Sequence, residues 1–374
     1  MTPEKSPAPE TGMFPRMVLL LQGGGALGAY QGGAYAALAT HGYEPNWIVG
    51  VSIGAINASL IAGNPPELRV ERLKEFWDRI TRPTAGLDAG PLSLPDKLQQ
   101  RIGVFGALAF GLPGFFRPWL PFEWVVEHPL SYYDTCLLRT TLEELVDFDR
   151  INHGAVRLSV GAVQVTTGNM IYFDSAKTKL GPEHIMASGA LPPGFPAVEI
   201  DGEAYWDGGL VSNTPLDYLM GEQPRQDSLV FQIDLFPASG KPPTSFDEIA
   251  EREKDIQYSS RSRLVTAAEK ERQNLRRRVA AFIERLPPDL QNDPVTAHLH
   301  KFSCPAQVDV VHLIYRPKQP QGSQKDYQFD RDSAMRRWAD GQADAEITLA
   351  AAPWTAPHPP DIGMRTFDVL ADQQ

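Results

Sequence analysis

The sequence predicts an α/β protein built around a parallel sheet. Apolar runs typical of buried strands alternate with helix-like segments through the first 80 residues, which is the pattern of a parallel sheet with helices packed on it. Apolar residues make up 42% of the 374-residue chain, enough to fill a large core. That length suits one large domain or two modest ones.

The alternation of strands and helices starts near the N-terminus. Residues 17–21 form an apolar run that ends in glycines, which predicts a buried strand. A helix is expected over residues 27–38, where apolar side chains recur every three or four positions, and Gly42 is suited to end it. Residues 47–51 predict a second strand, and residues 53–62 predict a helix rich in small side chains.

Later segments extend this pattern and then change it. An amphipathic helix is expected over residues 67–80, residues 156–165 and 170–173 are suited to pair as strands, and residues 229–235 predict a further strand. The composition shifts after a linker rich in proline and serine. Beyond it we expect a long charged helix, one strand and a proline-rich loop, over residues 247–286, 308–315 and 352–360.

Composition argues against several classes of protein. The formal net charge of −11 disfavours a general nucleic-acid binder. Cys136 and Cys304 are too few and too far apart for a disulfide framework or a metal cluster, and we expect neither a metal nor another cofactor. Residues 1–15 lack the basic start and the long apolar run of a signal peptide, so we interpret them as the disordered tail of a cytoplasmic protein.

Two segments are candidates for contact with a membrane. Residues 103–122 are rich in aromatic residues, but glycines and prolines interrupt them, whereas a spanning helix needs about 20 uninterrupted apolar residues. We expect an irregular flap that either packs on the core or offers a peripheral surface for acyl chains. Residues 261–285 contain eight basic and three acidic residues, which indicates either a solvated helix face or a contact with anionic headgroups.

A glycine box lies between the first strand and the first helix. Gly23, Gly24, Gly25 and Gly28 satisfy the GxGxxG pattern of dinucleotide-binding folds, but that interpretation needs an acidic residue after the second strand, where none is found. Consecutive glycines at the start of a helix leave backbone N–H groups free. Together with the helix dipole, these groups suit a negative oxygen that develops during a reaction.

The second strand ends in a candidate nucleophile. Gly50-Val51-Ser52-Ile53-Gly54 is a GxSxG sequence at a strand-to-helix junction, which is the position of a nucleophile elbow. A sharp turn there exposes the serine oxygen, and the flanking glycines let the neighbouring backbone pass close by. The same position suits a serine that caps the helix, and both roles are compatible.

A serine hydroxyl needs a base to take its proton. None of the eight histidines lies in an obvious turn after a strand, as a Ser-His-Asp triad would lead us to expect. Asp207 precedes Gly208 and Gly209 in a tight loop with little steric cover. Its carboxylate can therefore approach a serine oxygen directly, and burial there would raise its basicity. Asp-Gly-Gly alone is equally typical of an ordinary turn.

The ordered set of glycine box, GxSxG and Asp-Gly-Gly resembles the patatin-like phospholipase family. A further block, residues 187–196, is similar to the proline- and phenylalanine-containing block that lies between elbow and aspartate in that family. Asn213 and Pro215, after Asp-Gly-Gly, match as well. The resemblance covers roughly residues 16–235 and is specific through the motifs jointly. It implies a three-layer α/β/α sandwich with a mainly parallel central sheet. We therefore expect a hydrolase domain over residues 16–240 and a C-terminal extension over residues 241–374.

The resemblance also implies a chemistry. Ser52 would be the nucleophile and Asp207 the base of a catalytic dyad without histidine. The oxyanion hole would be formed by backbone N–H groups of Gly23, Gly24 and Gly25. Supporting glycines of these motifs are Gly28, Gly50, Gly54, Gly208 and Gly209. The expected substrate is a phospholipid or another acyl lipid, cleaved at a carboxylic ester bond.

Two positions depart from the family pattern, and two other functions stay open. Leu27 stands where many members carry lysine or arginine, and Gln22 where many carry aspartate; the missing cation weakens the expectation of a phosphate-headgroup preference. The same site would serve an acyltransferase or thioesterase acting on acyl-CoA or a stored polyester. The alternative without catalysis is a lipid-binding protein with a vestigial site. The sequence indicates no oligomeric state.

Overall fold

The computed structural model describes residues 14–82, 104–126, 129–318 and 320–371. Most of the expected tail, residues 1–15, lies outside them. The strands that these ranges contain are β1 (Arg16–Leu21), β2 (Trp47–Val51), β3 (Arg117–Pro118), β4 (Tyr133–Asp134), β5 (Arg157–Gln164), β6 (Met170–Asp174), β7 (Val198–Ile200), β8 (Glu203–Asp207), β9 (Ser228–Asp234), β10 (Val308–Ile314) and β11 (Met364–Phe367).

Nine of these strands form one mixed, mainly parallel sheet. Their order is β11-β10-β9-β1-β2-β5-β8-β7, and β6 pairs with β5. The strands from β11 to β5 are parallel to their neighbours, whereas β6, β7 and β8 pair antiparallel. Leu21 at the end of β1 lies opposite both Gly50 and Ile233. The loops that follow β1, β2 and β9 therefore meet at one edge of the sheet, where ligands bind in folds of this kind.

Helices cover both faces of the sheet. They are α1 (Ala29–Thr40), α2 (Ile53–Ala62), α3 (Pro66–Ile80), α4 (described over 104–110), α5 (Pro121–Val126), α6 (Cys136–Leu145), α7 (Phe148–His153), α8 (Pro182–Ser188), α9 (Leu216–Gly221), α10 (Phe246–Glu284), α11 (Pro288–Gln291), α12 (Pro294–His300) and α13 (Arg331–Ala351). Alternate residues of β1 point to opposite faces. Leu19 and Leu21 pack with α1, α2 and α13 in one core, and Val18 and Leu20 pack with α9 in another. The expected three-layer α/β/α sandwich is confirmed.

The chain beyond residue 240 joins the same sheet. One strand is expected there, and the structure has two, because β10 pairs with β9 and β11 pairs with β10. Helix α13, which the sequence analysis does not predict, packs closely on α1. A Cβ atom at Gly33 would collide with the Trp338 carbonyl, and one at Gly341 with the Tyr30 carbonyl. Glycine at both positions therefore lets the two backbones touch.

The described part of the expected flap, residues 104–122, is partly buried and partly exposed. Phe115 and Phe116 belong to the main core, whereas Phe105, Phe110 and Phe122 are exposed. Gly103, at the start of the expected flap, lies outside the described residues. Within the part of the chain that the structure describes, no helix combines the length and the hydropathy needed to cross a bilayer.

Candidate active site

Ser52 stands on a strained turn between β2 and α2. Its φ angle is 56° and its ψ angle −126°, a conformation that a residue with a side chain adopts only when its surroundings enforce it. A Cβ atom at Gly54 would collide with the Leu21 carbonyl at the end of β1. A glycine there lets the first turn of α2 approach β1, as expected of a nucleophile elbow.

The side chain of Ser188, at the C-terminal end of α8, forms hydrogen bonds that connect this turn to the neighbouring strand. Its Oγ accepts a hydrogen bond from the backbone N–H of Ser52 at 3.0 Å and donates one to the carbonyl oxygen of Gly161 at 2.6 Å. The side chain of Ser188 is fully buried. The motif search did not assign it a role, although it lies within the proline- and phenylalanine-containing block at residues 187–196.

Asp207, at the end of β8, faces the hydroxyl of Ser52. Only 3% of its surface is exposed, and the backbone N–H of Gly209 donates a hydrogen bond to its Oδ1 at 2.7 Å. Burial raises the pKa of Asp207 to about 6, although hydrogen bonds from the Ser52 side chain and the Gly209 N–H act in the opposite direction. The structure thus brings two residues that are far apart in the sequence to the same cavity.

The glycine box borders the same two residues. The N–H of Gly23 donates to the Asn213 carbonyl oxygen at 3.4 Å, and the Asn213 side-chain amide donates to the Gly23 carbonyl oxygen at 2.9 Å. Among the described residues, no acceptor lies within hydrogen-bond reach of the N–H groups of Gly24 and Gly25. Gly25 has a φ angle of 54° at the start of a 3-10 helix. These two donors are therefore available to a ligand.

A cavity of about 380 Å³ opens beside these groups. Ser52 and Asp207 line it together with Gly23, Gly24 and Gly25. Part of its wall is aromatic, because Phe115 and Phe116 pack against Phe195 with ring centroids 5.9 and 5.2 Å away. Apolar walls with a few polar groups at one point are typical of binding sites for small molecules.

Among the residues that the structure describes, neither a histidine nor a metal-binding cluster is found at this cavity. Of the seven histidines in the described residues, none lines it; His128 lies outside them. Across the same ranges, no group of three or more His, Cys, Asp or Glu side chains is placed to hold a metal ion.

Comparison with known proteins identifies the family. A family model described as patatin-like phospholipase matches residues 19–220, more than half of the chain. A second, described as patatin phospholipase, matches residues 256–361. The chain belongs to the patatin-like phospholipase family. It is accordingly a lipid hydrolase.

Solved structures similar to this phospholipase include VipD and ExoU. VipD from Legionella pneumophila is 15% identical with a TM-score of 0.41, and the match covers 90% of this chain and 67% of that one. The type III effector ExoU is 13% identical with a TM-score of 0.31, and the match covers 90% of this chain and 53% of that one. A structure of ExoU with SpcU from Pseudomonas aeruginosa is 15% identical with a TM-score of 0.26, and the match covers 91% of this chain and 75% of that one. No curated protein matches.

The phospholipase accommodates both departures from the family pattern. The fully buried Gln22 accepts a hydrogen bond from the Leu235 N–H at 2.6 Å and donates one to the Thr214 hydroxyl at 3.0 Å. An amide fits because it must donate and accept at once. Leu27 is fully buried in the main core, and so presents no charge to a substrate.

A buried cation from the C-terminal region contacts the glycine box. Arg337 of α13 is almost completely buried, and its guanidinium donates hydrogen bonds to the carbonyl oxygens of Ala26 (3.1 Å), Gln328 (2.9 Å) and Lys325 (2.9 Å). The sequence analysis missed Arg337 because only the folded chain brings α13 to residue 26. Its contacts tie the loop at residues 321–329 to the box of the phospholipase.

Proposed function

We propose that this phospholipase hydrolyses acyl esters through a dyad of Ser52 and Asp207. The observation that carries the proposal is that Ser52, on its strained turn, lines the same apolar cavity as the buried carboxylate of Asp207, whose pKa is raised to about 6. A carboxylate with that pKa is half ionised near pH 6 and mostly ionised at pH 7. It is therefore a stronger base than an ordinary aspartate and still available to accept a proton.

The reaction follows from this geometry. Asp207 takes the hydroxyl proton while Ser52 Oγ bonds to the ester carbonyl carbon, and the N–H groups of Gly24 and Gly25 stabilise the oxyanion. The C–O bond to the alcohol then breaks, and the alcohol leaves with the proton from Asp207. In the second half, Asp207 takes a proton from water, hydroxide attacks the acyl-enzyme, and the fatty acid leaves as Ser52 regains its proton. We assign a smaller part to the Gly23 N–H, because it already bonds to Asn213.

Covalent labelling tests the dyad directly. A fluorophosphonate probe should label the wild-type chain at Ser52 with one equivalent, and Ser52→Ala should remove both the label and p-nitrophenyl ester hydrolysis. Asp207→Asn should lower turnover by about 100- to 10,000-fold, the range of general base catalysis. Single histidine-to-alanine variants should keep substantial turnover. A folded histidine variant without activity would indicate a conventional triad instead.

We also propose that the enzyme meets its substrate at a membrane surface, through the flap. Val104 and Leu108 of α4 line the cavity, while no residue of the neighbouring α5 is buried. An exposed apolar surface continuous with an acyl-binding cavity suits the headgroup boundary of a bilayer. The basic stripe at residues 261–285 is a weaker candidate, because Arg261 and Arg277 already donate to backbone carbonyl oxygens of the protein.

A further inference from the structure

The two walls of the catalytic cavity differ in chemistry and in origin. The aromatic wall comes mostly from the N-terminal part of the chain. Within the described part of the chain, the charged side chains that line the cavity, apart from Asp207, are Lys254 of α10 and Asp326 of the loop at residues 321–329. Both belong to the C-terminal region. One side of the cavity therefore suits an acyl chain, and the other suits a polar group.

Lys254 and Asp326 form an ion pair that is only partly shielded. The ammonium of Lys254 donates to Asp326 Oδ1 at 2.7 Å and to the Ser323 carbonyl oxygen at 2.8 Å, and it lies 5.4 Å from the ring centroid of Tyr327. An ammonium has three N–H donors, so one remains. Within the described residues, Asp326 Oδ2 has no donor. The side chains are 23% and 15% exposed, respectively.

The surrounding loop holds the pair beside the glycine box. Lys325 is almost completely buried, and its ammonium lies 2.5 Å from Asp255 and 3.4 Å from Glu251. A Cβ atom at Gly25 would collide with the Asp326 carbonyl oxygen, so the loop touches the box directly. The pair is consequently fixed in place before substrate arrives, which lowers the entropic cost of binding to it.

We propose that Lys254 and Asp326 bind the headgroup of a zwitterionic phospholipid. The proposal rests on the dyad described above. The free N–H of Lys254 would bind a phosphodiester oxygen, and the free oxygen of Asp326 a primary ammonium. A fixed ion pair carries no net charge, so a headgroup with both charges matches it better than a purely anionic headgroup does. The acyl chain then extends along the aromatic wall, and the ester lies at Ser52.

A specificity ratio tests this subsite. The substrates are phosphatidylethanolamine, phosphatidylglycerol and diacylglycerol with identical acyl chains in mixed micelles, and a p-nitrophenyl ester gives the reference kcat/KM. Lys254→Met should lower the ratio of phosphatidylethanolamine to p-nitrophenyl ester hydrolysis about tenfold, the effect of one charge-assisted hydrogen bond, whereas Lys254→Arg should keep most of it. Asp326→Asn should shift the preference towards phosphatidylglycerol. Lys179→Met, at an exposed lysine outside the cavity, is the matched control.

The outcomes separate the subsite from the dyad. Ratios that stay constant in both the Lys254 and the Asp326 variants would overturn the headgroup assignment, as would parallel losses on all substrates, which indicate a structural role. A wild-type preference for diacylglycerol or phosphatidylglycerol would overturn it too. Labelling of Ser52 and hydrolysis of the p-nitrophenyl ester by the wild type report on the dyad alone, so their absence would mark a failure of the proposed function.

Discussion

The hydroxyl of Ser188 accepts a hydrogen bond from the Ser52 N–H and donates another to the Gly161 carbonyl oxygen. This contact joins the end of α8 to the strained turn of the candidate nucleophile and to β5. Because Ser52 has a positive φ angle, its conformation depends on such contacts. Ser188 is thus a positioning residue, which acts through Ser52 and not on the substrate.

Ser188→Ala should therefore lower kcat by about tenfold with little change in KM, since the turn loosens while the cavity wall stays intact. The variant leaves the partly buried Ser52 N–H without its partner, which should cost about 1–3 kcal/mol of unfolding free energy. Ester kinetics and urea unfolding measure the two effects. Ser59→Ala is the matched control, because Ser59 is a buried serine of α2 whose hydroxyl bonds only to the Ile56 carbonyl oxygen. An equal loss of kcat in that control would refute the positioning role.

The pH profile of the enzyme should follow Asp207. The base must be ionised, and its pKa is raised to about 6. We expect kcat/KM for an uncharged ester to reach a plateau above pH 7 and to fall about tenfold for each pH unit below 6. The acidic limb should vanish from the residual activity of Asp207→Asn. A limb centred near pH 4 in the wild type would contradict the raised pKa.

The same raised pKa implies that ionised Asp207 destabilises the folded protein. The folded protein holds the carboxyl proton more tightly than the unfolded chain, so the free energy of unfolding falls as pH rises through the window from about 4 to about 6. The shift from 3.8 to about 6 corresponds to roughly 3 kcal/mol at about 1.4 kcal/mol for each unit. Asp207→Asn should gain up to that amount over the wild type between pH 4 and pH 7.5. Urea unfolding at both pH values checks this, and a difference that does not depend on pH would exclude it.

Removal of the Arg337 guanidinium should disturb the glycine box from a distance. Arg337→Met leaves three carbonyl oxygens, including that of Ala26, without their donor, at an expected cost of about 2–4 kcal/mol. Labelling of Ser52 should slow by about tenfold even well below the melting temperature. Arg336→Met, at the adjacent residue, whose side chain donates to Ser333, should label at the wild-type rate. Equal labelling rates in both variants would show that Arg337 does not influence the reactivity of Ser52.

Exposed aromatic residues of α5 should govern binding to vesicles. Phe122 and Trp124 are 63% and 44% exposed. Replacing both with serine should reduce co-sedimentation with phosphatidylcholine vesicles by at least about tenfold. The reason is that burial of each apolar side chain in the bilayer would contribute roughly 1.5–3 kcal/mol to the binding free energy. High salt should have little effect. Phe246→Ser, at the start of α10, is the control, because its ring is even more exposed, at 91%, but lies outside α5. Unchanged co-sedimentation of the α5 variant, or binding lost only at high salt, would favour another surface.

Local patterns predicted the elements around the nucleophile well. The expected strand at residues 47–51 and the expected helix at residues 53–62 coincide with β2 and α2, because continuous apolar runs bounded by glycines leave few alternatives. Ser52 and Asp207 were singled out by turn motifs that need no knowledge of distant contacts, and their proposed roles came from the resemblance to the family. The fold class followed from the same alternation of strands and helices.

The contribution of the C-terminal region was not predictable in this way. The linker at residues 237–245 indicates a boundary, yet β9 and β10 on either side of it are neighbours in the sheet. Strand β11 has only four residues, which is too short for a periodic signal. Helix α13 carries charged residues on most of its length, and its fit to α1 depends on Gly33 and Gly341. Lys254 and Asp326 reach the cavity, and Arg337 reaches the glycine box, through long-range contacts that no local pattern encodes.

The position of α13 also sets the order of events during translation. A ribosome releases Ser52 and Asp207 well before it has made Arg337, whose guanidinium holds the glycine box. Until then the side of the cavity that Lys254 and Asp326 line, and the contact of Arg337 with the glycine box, are not both in place. The cavity is consequently complete only after the chain has been synthesised through α13 and that helix has docked.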